Sequence, residues 1–179
     1  ANAVGIAMAE AHLVAQDPNL KDVLAHYTYV LCGDGDLEEG VGLEAMAIAG
    51  LNKLSKLIVC YDNNDVTLDG PLSQSSIDDV AMKATSMNWN VIKVEDGNNV
   101  EEIDKAIIAA KAQDEKPTII ICKTIIGYGS ENQGTCAVHG APLTKAGSDK
   151  AKEFFGWNYS EFFIPEQVRE LYKETYIAR

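Results

Sequence analysis

Apolar positions along the chain follow two rhythms that take turns. Ala3, Val4, Ala7, Met8, Ala11 and Val14 or Ala15 keep the three-to-four-residue spacing of a packed helix, which predicts a helix over residues 1–16 ending at Asp17-Pro18. Tyr27–Cys32 is a β-branched and aromatic run stopped by Gly33-Asp34-Gly35, and Leu43–Leu54 returns to helical spacing. Leu57–Tyr61 then reads as a second strand, stopped by the polar cluster Asp62-Asn63-Asn64-Asp65. The alternation continues with a helix over Ser76–Met87, a strand over Asn90–Val94, a helix over Val100–Ala112 and a strand over Pro117–Lys123. Beyond Thr124 the chain becomes irregular and glycine-rich as far as Leu143, and from Pro165 a last amphipathic helix carries Val168, Leu171 and Tyr172.

Strands that are continuous apolar runs, alternating with helices, predict an α/β fold: a doubly wound, mostly parallel sheet with helices on both faces. The 179 residues amount to one domain, and 46% apolar with 23% charged residues is globular composition. A net charge of −12 repels nucleic acid and anionic membrane surfaces, so neither is an expected partner. The longest apolar runs are of strand length, far short of the ~20 residues of a bilayer span. Cys32, Cys60, Cys122 and Cys136 form no C-x-x-C pair and are expected to be buried free thiols. With no secretory leader in view, that usage fits a reducing cytoplasm. The chain opens inside a helical pattern with no cap before it, and so reads as cut from a longer one.

In open α/β sheets, ligands bind at the carboxyl ends of the strands. Two polar clusters fall there on consecutive strands, Gly33-Asp34-Gly35 and Asn63-Asn64. Each alone is ordinary turn chemistry. Together, with 27 residues between Gly35 and Asn63, they leave room for one helix and one returning strand. The glycines let backbone amides approach a phosphate, while a carboxylate, an amide oxygen and a backbone carbonyl suit Mg²⁺ or Ca²⁺ better than Zn²⁺.

That pairing resembles the signature of thiamin-diphosphate enzymes. Gly33-Asp34-Gly35-Asp36-Leu37-Glu38-Glu39-Gly40, Tyr61-Asp62-Asn63-Asn64, Asp69-Gly70, Lys123–Ser130 and His139-Gly140-Ala141-Pro142-Leu143 are all similar to the transketolase family, nearly end to end. The resemblance implies a thiamin-diphosphate-binding fold, with residues 1–179 as the diphosphate-binding domain, its beginning, the pyrimidine-binding domain and the C-terminal domain lying outside the chain. It implies transfer of a two-carbon ketol unit between phosphosugars by a homodimer that holds thiamin diphosphate between two chains. Carried over by motif, Asp34, the Asn64 side chain and the Val66 carbonyl would ligate Mg²⁺, or Ca²⁺ in its place. Gly33 and Gly35 would approach the diphosphate, and Leu68 would pack on the thiazolium, unless it is simply a core leucine. Glu39 matches a dimer-interface glutamate close to the partner carboxylate that activates the cofactor's aminopyrimidine, and His139 matches a histidine reaching cofactor and substrate oxygens.

Other features qualify the resemblance. Many family members carry a second histidine where this chain has Cys136. His12 and His26 read as structural or surface residues. The only arginines, Arg169 and Arg179, lie in the C-terminal tail, so a substrate phosphate would be gripped elsewhere and the chain alone is expected to be inactive. Deoxyxylulose-phosphate synthase and dihydroxyacetone synthase share the paired motif. A split enzyme and a noncatalytic binding module are the remaining alternatives.

Overall fold

A computed structural model of the chain, describing residues 1–177, contains one four-stranded sheet. Its elements begin with α1 (Asn2–Gln16), the short α2 (Lys21–Leu24) and β1 (Thr28–Gly33). Next come α3 (Asp34–Glu38), α4 (Gly40–Leu51), β2 (Leu57–Asn63), α5 (Val80–Ser86) and β3 (Asn90–Val94). Then follow α6 (Val100–Lys111), β4 (Thr118–Lys123), α7 (Lys145–Phe154) and α8 (Glu166–Tyr172). The chain divides into two compact units, Ala1–Tyr128 with Asn132–Pro142, and a second comprising Gly129–Glu131 and the residues from Leu143 onward.

In the first unit the strand order is β1-β2-β4-β3 and every pairing is parallel. The expected doubly wound sheet is therefore present. The route from β1 to β2 to β3 runs one way across the sheet, and β3 to β4 runs back. Right-handed crossovers consequently place α4 and α5 on one face and α6 on the other. The first face packs Val4, Ala7, Met46, Ala49, Ala84 and Trp89 against Leu57, Val59, Tyr61 and Ile119. The second packs Ala106 and Ala110 of α6 against Ile58, Ile120 and Cys122. Central β4 is buried on both faces from Thr118 to Cys122, whereas the edge strand β1 leaves Leu31 87% exposed.

Several boundaries differ from the sequence expectation, each for a local reason. The Gly33-Asp34-Gly35 turn is the start of α3, because the Asp36 carboxylate accepts from the Gly33 N–H at 2.8 Å and caps the turn. The next helix accordingly begins at Gly40 rather than Leu43. Asp62 and Asn63 do not stop β2, since both pair with β4, opposite Cys122 and Lys123. The helix expected from Ser76 starts at Val80, where Asp79 accepts from the Met82 N–H at 2.8 Å, while the Ser76 hydroxyl accepts from the Asp78 N–H in a preceding turn. On α1, Met8 and Ala11 are exposed, and the buried stripe runs through Val4, Ala7 and Glu10. Glu10 is tolerated there because Lys56 pairs with it at 2.8 Å.

The thiols are free, but only Cys122 is buried; Cys32 and Cys60 are half-buried and Cys136 is exposed. Cys32 lies on the edge strand β1, Cys60 lines the cleft beside Gly33 and Asp62, and Cys136 sits in the surface turn Cys136–Val138. In the second unit, α7 was not legible as an apolar pattern and is opened by the Thr144 hydroxyl accepting from the Gly147 N–H at 3.1 Å. The α8 helix forms behind Pro165 as expected, but Val168, Leu171 and Tyr172 are 41%, 60% and 58% exposed. Arg179 lies outside the described residues.

Candidate functional site

The parallel register sets the carboxyl ends of three strands side by side, with Gly33 opposite Asp62 and Asn63 opposite Lys123. Asp34 follows directly from β1, and its side chain is only 4% exposed. The Tyr61 hydroxyl, from the adjacent strand, donates to Asp34 Oδ1, while Asp34 Oδ2 is buried without a partner. Burial pushes the Asp34 carboxyl above its usual value, opposed by the Tyr61 hydroxyl and by the backbone amides of Asn64 and Val66. The backbone of Asn64 and Val66, two of the three expected metal-ligating positions, therefore lies close to the Asp34 carboxyl, the third.

The turn after β2 is built to make that meeting possible. Asp65 adopts φ of 61°, a left-handed conformation that aspartate tolerates better than most residues, and the chain doubles back. The Asn64 Oδ1 then accepts from the Val66 N–H at 3.0 Å, and its Nδ2 donates to Asp62 at 3.2 Å. Val66 bridges Pro71 and the Thr67 N–H donates to the Gly70 carbonyl at 2.8 Å, closing a small loop with Leu68 in it. Two contacts tie β2 to the end of β4: Lys123 pairs with Asp65, and the Thr124 hydroxyl donates to Asp62.

The residues present fit a hard divalent cation. An anionic oxygen buried without a partner is costly, and a cation relieves that cost. All the donors are oxygens. Among the described residues no cluster of three His, Cys, Asp or Glu side chains could hold a metal, so one carboxylate, one amide and one carbonyl would carry the protein's share. That modest share suits Mg²⁺, which keeps waters and takes phosphate oxygens as further ligands. A cavity of about 20 Å³ between Asp34, Tyr61, Leu72 and Ser76 has room for roughly one water. Larger clefts flank the strand ends: about 560 Å³ beside Gly33 and Asp62, and about 440 Å³ beside Asn63 and Lys123. A Cβ placed on Gly35 would meet nothing within 4 Å, so the backbone there is open to a ligand.

The other expected residues stand apart from this cluster. Leu68 is 65% exposed, which excludes the core-leucine alternative and leaves its side chain free to meet a ligand. Glu39 is exposed at the start of α4, its carbonyl accepting from the Gly42 and Leu43 amides. His139 is half-buried in the loop after β4, with Nδ1 buried and unpartnered, and no described hydrogen bond joins it to Asp34. His12 and His26 are exposed, His26 bonding the Leu24 carbonyl at 3.0 Å. The sequence reading missed Tyr61, which sits in an apolar strand and looks like core. The signal available was its hydroxyl, since a buried phenol needs a partner.

Comparison with known proteins agrees with this geometry. The family model described as "Transketolase, thiamine diphosphate binding domain" matches residues 1–178. A transketolase from Streptococcus pyogenes is 52% identical over 100% of this chain and 25% of its own length. One from Bacillus subtilis is 49% identical over 95% of this chain and 26% of its own. Among solved structures, transketolase from Leishmania mexicana superposes with a TM-score of 0.91 at 42% identity, covering 97% of this chain and 26% of that one. A Pichia stipitis transketolase in complex with sedoheptulose 7-phosphate gives 0.91 at 38% identity, over 97% and 26%. The chain thus spans about a quarter of the length of these relatives. With the motif residues placed at the strand ends and the match running from end to end, the chain belongs to the transketolase thiamine diphosphate-binding domain family.

Proposed function

We propose that the natural protein is a transketolase, in which this chain supplies the metal and diphosphate anchor for thiamin diphosphate. The observation that carries the reading is the buried, unpartnered Asp34 Oδ2 beside Asn64 and Val66. Asp34, the Asn64 side-chain oxygen and the Val66 carbonyl hold Mg²⁺, and the open backbone at Gly35 admits the diphosphate beside Gly33, whose N–H is taken by the Asp36 carboxylate. When bound, the cofactor supplies the carbanion chemistry that carries a two-carbon ketol unit from a ketose phosphate to an aldose phosphate.

The chain's own residues bind and orient. Leu68, exposed on its small loop, packs against the thiazolium ring and helps to exclude water from the reacting centre. His139, with one ring nitrogen unpartnered, moves a proton at a substrate oxygen. Glu39 lies at a homodimer interface, near a partner carboxylate. The phosphosugar complex of the Pichia stipitis relative supports phosphosugar substrates. We place the protein in the cytoplasm and in the pentose phosphate pathway. With Arg169 and Arg179 in the tail, substrate phosphate is gripped by residues outside this chain, and we expect the 179 residues alone to be inactive.

The test is ketol transfer by the natural-length protein and its Asp34→Ala variant, with xylulose 5-phosphate as donor and ribose 5-phosphate as acceptor. The reading predicts Mg²⁺-dependent transfer in the first and none detectable in the second. Full activity in Asp34→Ala would exclude the metal assignment, and transfer by the 179 residues alone would exclude their inactivity.

A further inference from the structure

The two oxygens of the Asp34 carboxylate are chemically alike, yet the fold treats them differently. Oδ1 accepts from the Tyr61 hydroxyl, and Oδ2 is buried and forms no hydrogen bond, with the Asn64 and Val66 amides close to the carboxyl. Asp34 is 4% exposed and Tyr61 2%, so neither group is placed by solvent. The Tyr61 ring belongs to the core cluster with Leu57, Val59 and Ile119, and the adjoining strand register pairs Tyr61 with Cys32, two residues before Asp34. The hydroxyl is therefore fixed by the sheet itself.

The terminal torsion of an aspartate is broad and nearly two-fold, so an unrestrained carboxylate presents either oxygen in turn. From the asymmetry at Asp34 we infer that Tyr61 is a positioning residue, whose hydroxyl pins Oδ1 and aims Oδ2 at the divalent cation. The inference rests on the reading that Asp34 holds the cation. Tyrosine suits the task because a phenol donates a hydrogen bond without adding charge, which leaves the carboxylate its full negative charge for the metal. The nearby lysines are committed elsewhere, Lys83 to Asp78 and Lys123 to Asp65. Tyr61 has a single hydroxyl proton, and the Asn63 Oδ1 is the longer contact at 3.4 Å, so that proton serves Asp34.

Groups that orient a metal ligand from behind typically control affinity by roughly 10- to 100-fold. They also matter more for Mg²⁺, which demands near-ideal octahedral geometry, than for Ca²⁺, which accepts irregular carboxylates. The experiment is calorimetric titration of MgCl₂, and separately CaCl₂, into the natural-length protein in a fixed excess of thiamin diphosphate, for wild type and Tyr61→Phe. The thermal midpoint of each protein without metal is recorded beside it. The expected result is a Mg²⁺ affinity lower by about 10- to 100-fold in Tyr61→Phe, with a clearly smaller loss for Ca²⁺. Unchanged Mg²⁺ affinity in the variant, beside normal binding by wild type, overturns the positioning role and leaves the cation site standing. Equal losses for both cations, tracking a fall in the metal-free midpoint, also overturn it, since a merely structural tyrosine behaves that way. No Mg²⁺ binding by wild type removes the cation reading itself, and this inference with it.

Discussion

The strand-end cluster around Asp34 and the glycine-rich loop around His139 both carry motif residues, and they are held by different means. Asp34, Tyr61 and Asn64 sit on or immediately after paired strands, so the sheet register dictates where their side chains fall. His139 is held by local turns: its N–H donates to the Cys136 carbonyl at 3.0 Å, and Gly134 donates to the Ile126 carbonyl at 2.8 Å, with Gly127, Gly134 and Gly140 at positive φ. A site on strands is set before its ligand arrives, while a residue on such a loop depends on short-range bonds within it. The strand-end cluster proposed as the metal anchor is thus the part of the site that the sheet of this chain positions directly.

Breaking the sheet under the cluster has the largest expected effect. Ile120, fully buried in β4, is expected to cost about 2–5 kcal/mol of stability on conversion to alanine, read by denaturant unfolding. Leu31→Ser, on the exposed side of β1, is expected to stay within about 0.5 kcal/mol. A similar cost for both would mean that β1 is covered in solution.

Sharpening the contrast at the turn after β2 comes next. Asn64→Ala removes both the proposed metal oxygen and the acceptor for the Val66 N–H. Cation affinity should fall at least tenfold, about 1.4 kcal/mol, in calorimetry. His139→Ala should leave that affinity unchanged and lower ketol transfer instead. Parallel losses in the two variants would show that loop and strand ends act as one unit.

The thiols give a smaller, pH-dependent effect. Burial, then the nearby Cys60 and Asp62, pushes the Cys122 thiol up to about 11. Its folded value lies above the unfolded one near 8.5, so the associated stability is present below about pH 8.5 and is lost as pH rises toward 11. Wild type should therefore lose more stability over that window than Cys122→Ala. At pH 8, alkylation should label the exposed Cys136 first and Cys122 last. The smallest effect is expected at Leu68, where alanine should change stability by less than about 0.5 kcal/mol while weakening cofactor binding.

Much of this was legible in the sequence because the strands are apolar runs with sharp polar ends. The alternation placed Asn90–Val94 on its observed bounds, and the Gly33-Asp34-Gly35 and Asn63-Asn64 clusters at one edge of the sheet. Strand order was not legible, since β4 inserts between β2 and β3 by tertiary packing alone. Nor was the role of Tyr61: its ring satisfies the hydrophobic pattern, and only the fold reveals what its hydroxyl meets. The helical start at Asp34 was missed for a related reason, as a glycine-flanked aspartate reads as a turn until the Asp36 cap is seen. Glu10 was hidden likewise, since its burial depends on Lys56, far along the chain.

Asp34 and Asn64 are proposed to anchor thiamin diphosphate through a divalent metal. Thermal unfolding of the natural-length protein, titrated with thiamin diphosphate with and without Mg²⁺ beside Asp34→Ala, tests it most directly. A ligand that binds only the folded state stabilises it by about 2.7 kcal/mol at 100 times its dissociation constant. The account predicts a rise in midpoint that needs both Mg²⁺ and Asp34. An equal rise in Asp34→Ala, or one indifferent to Mg²⁺, would contradict it.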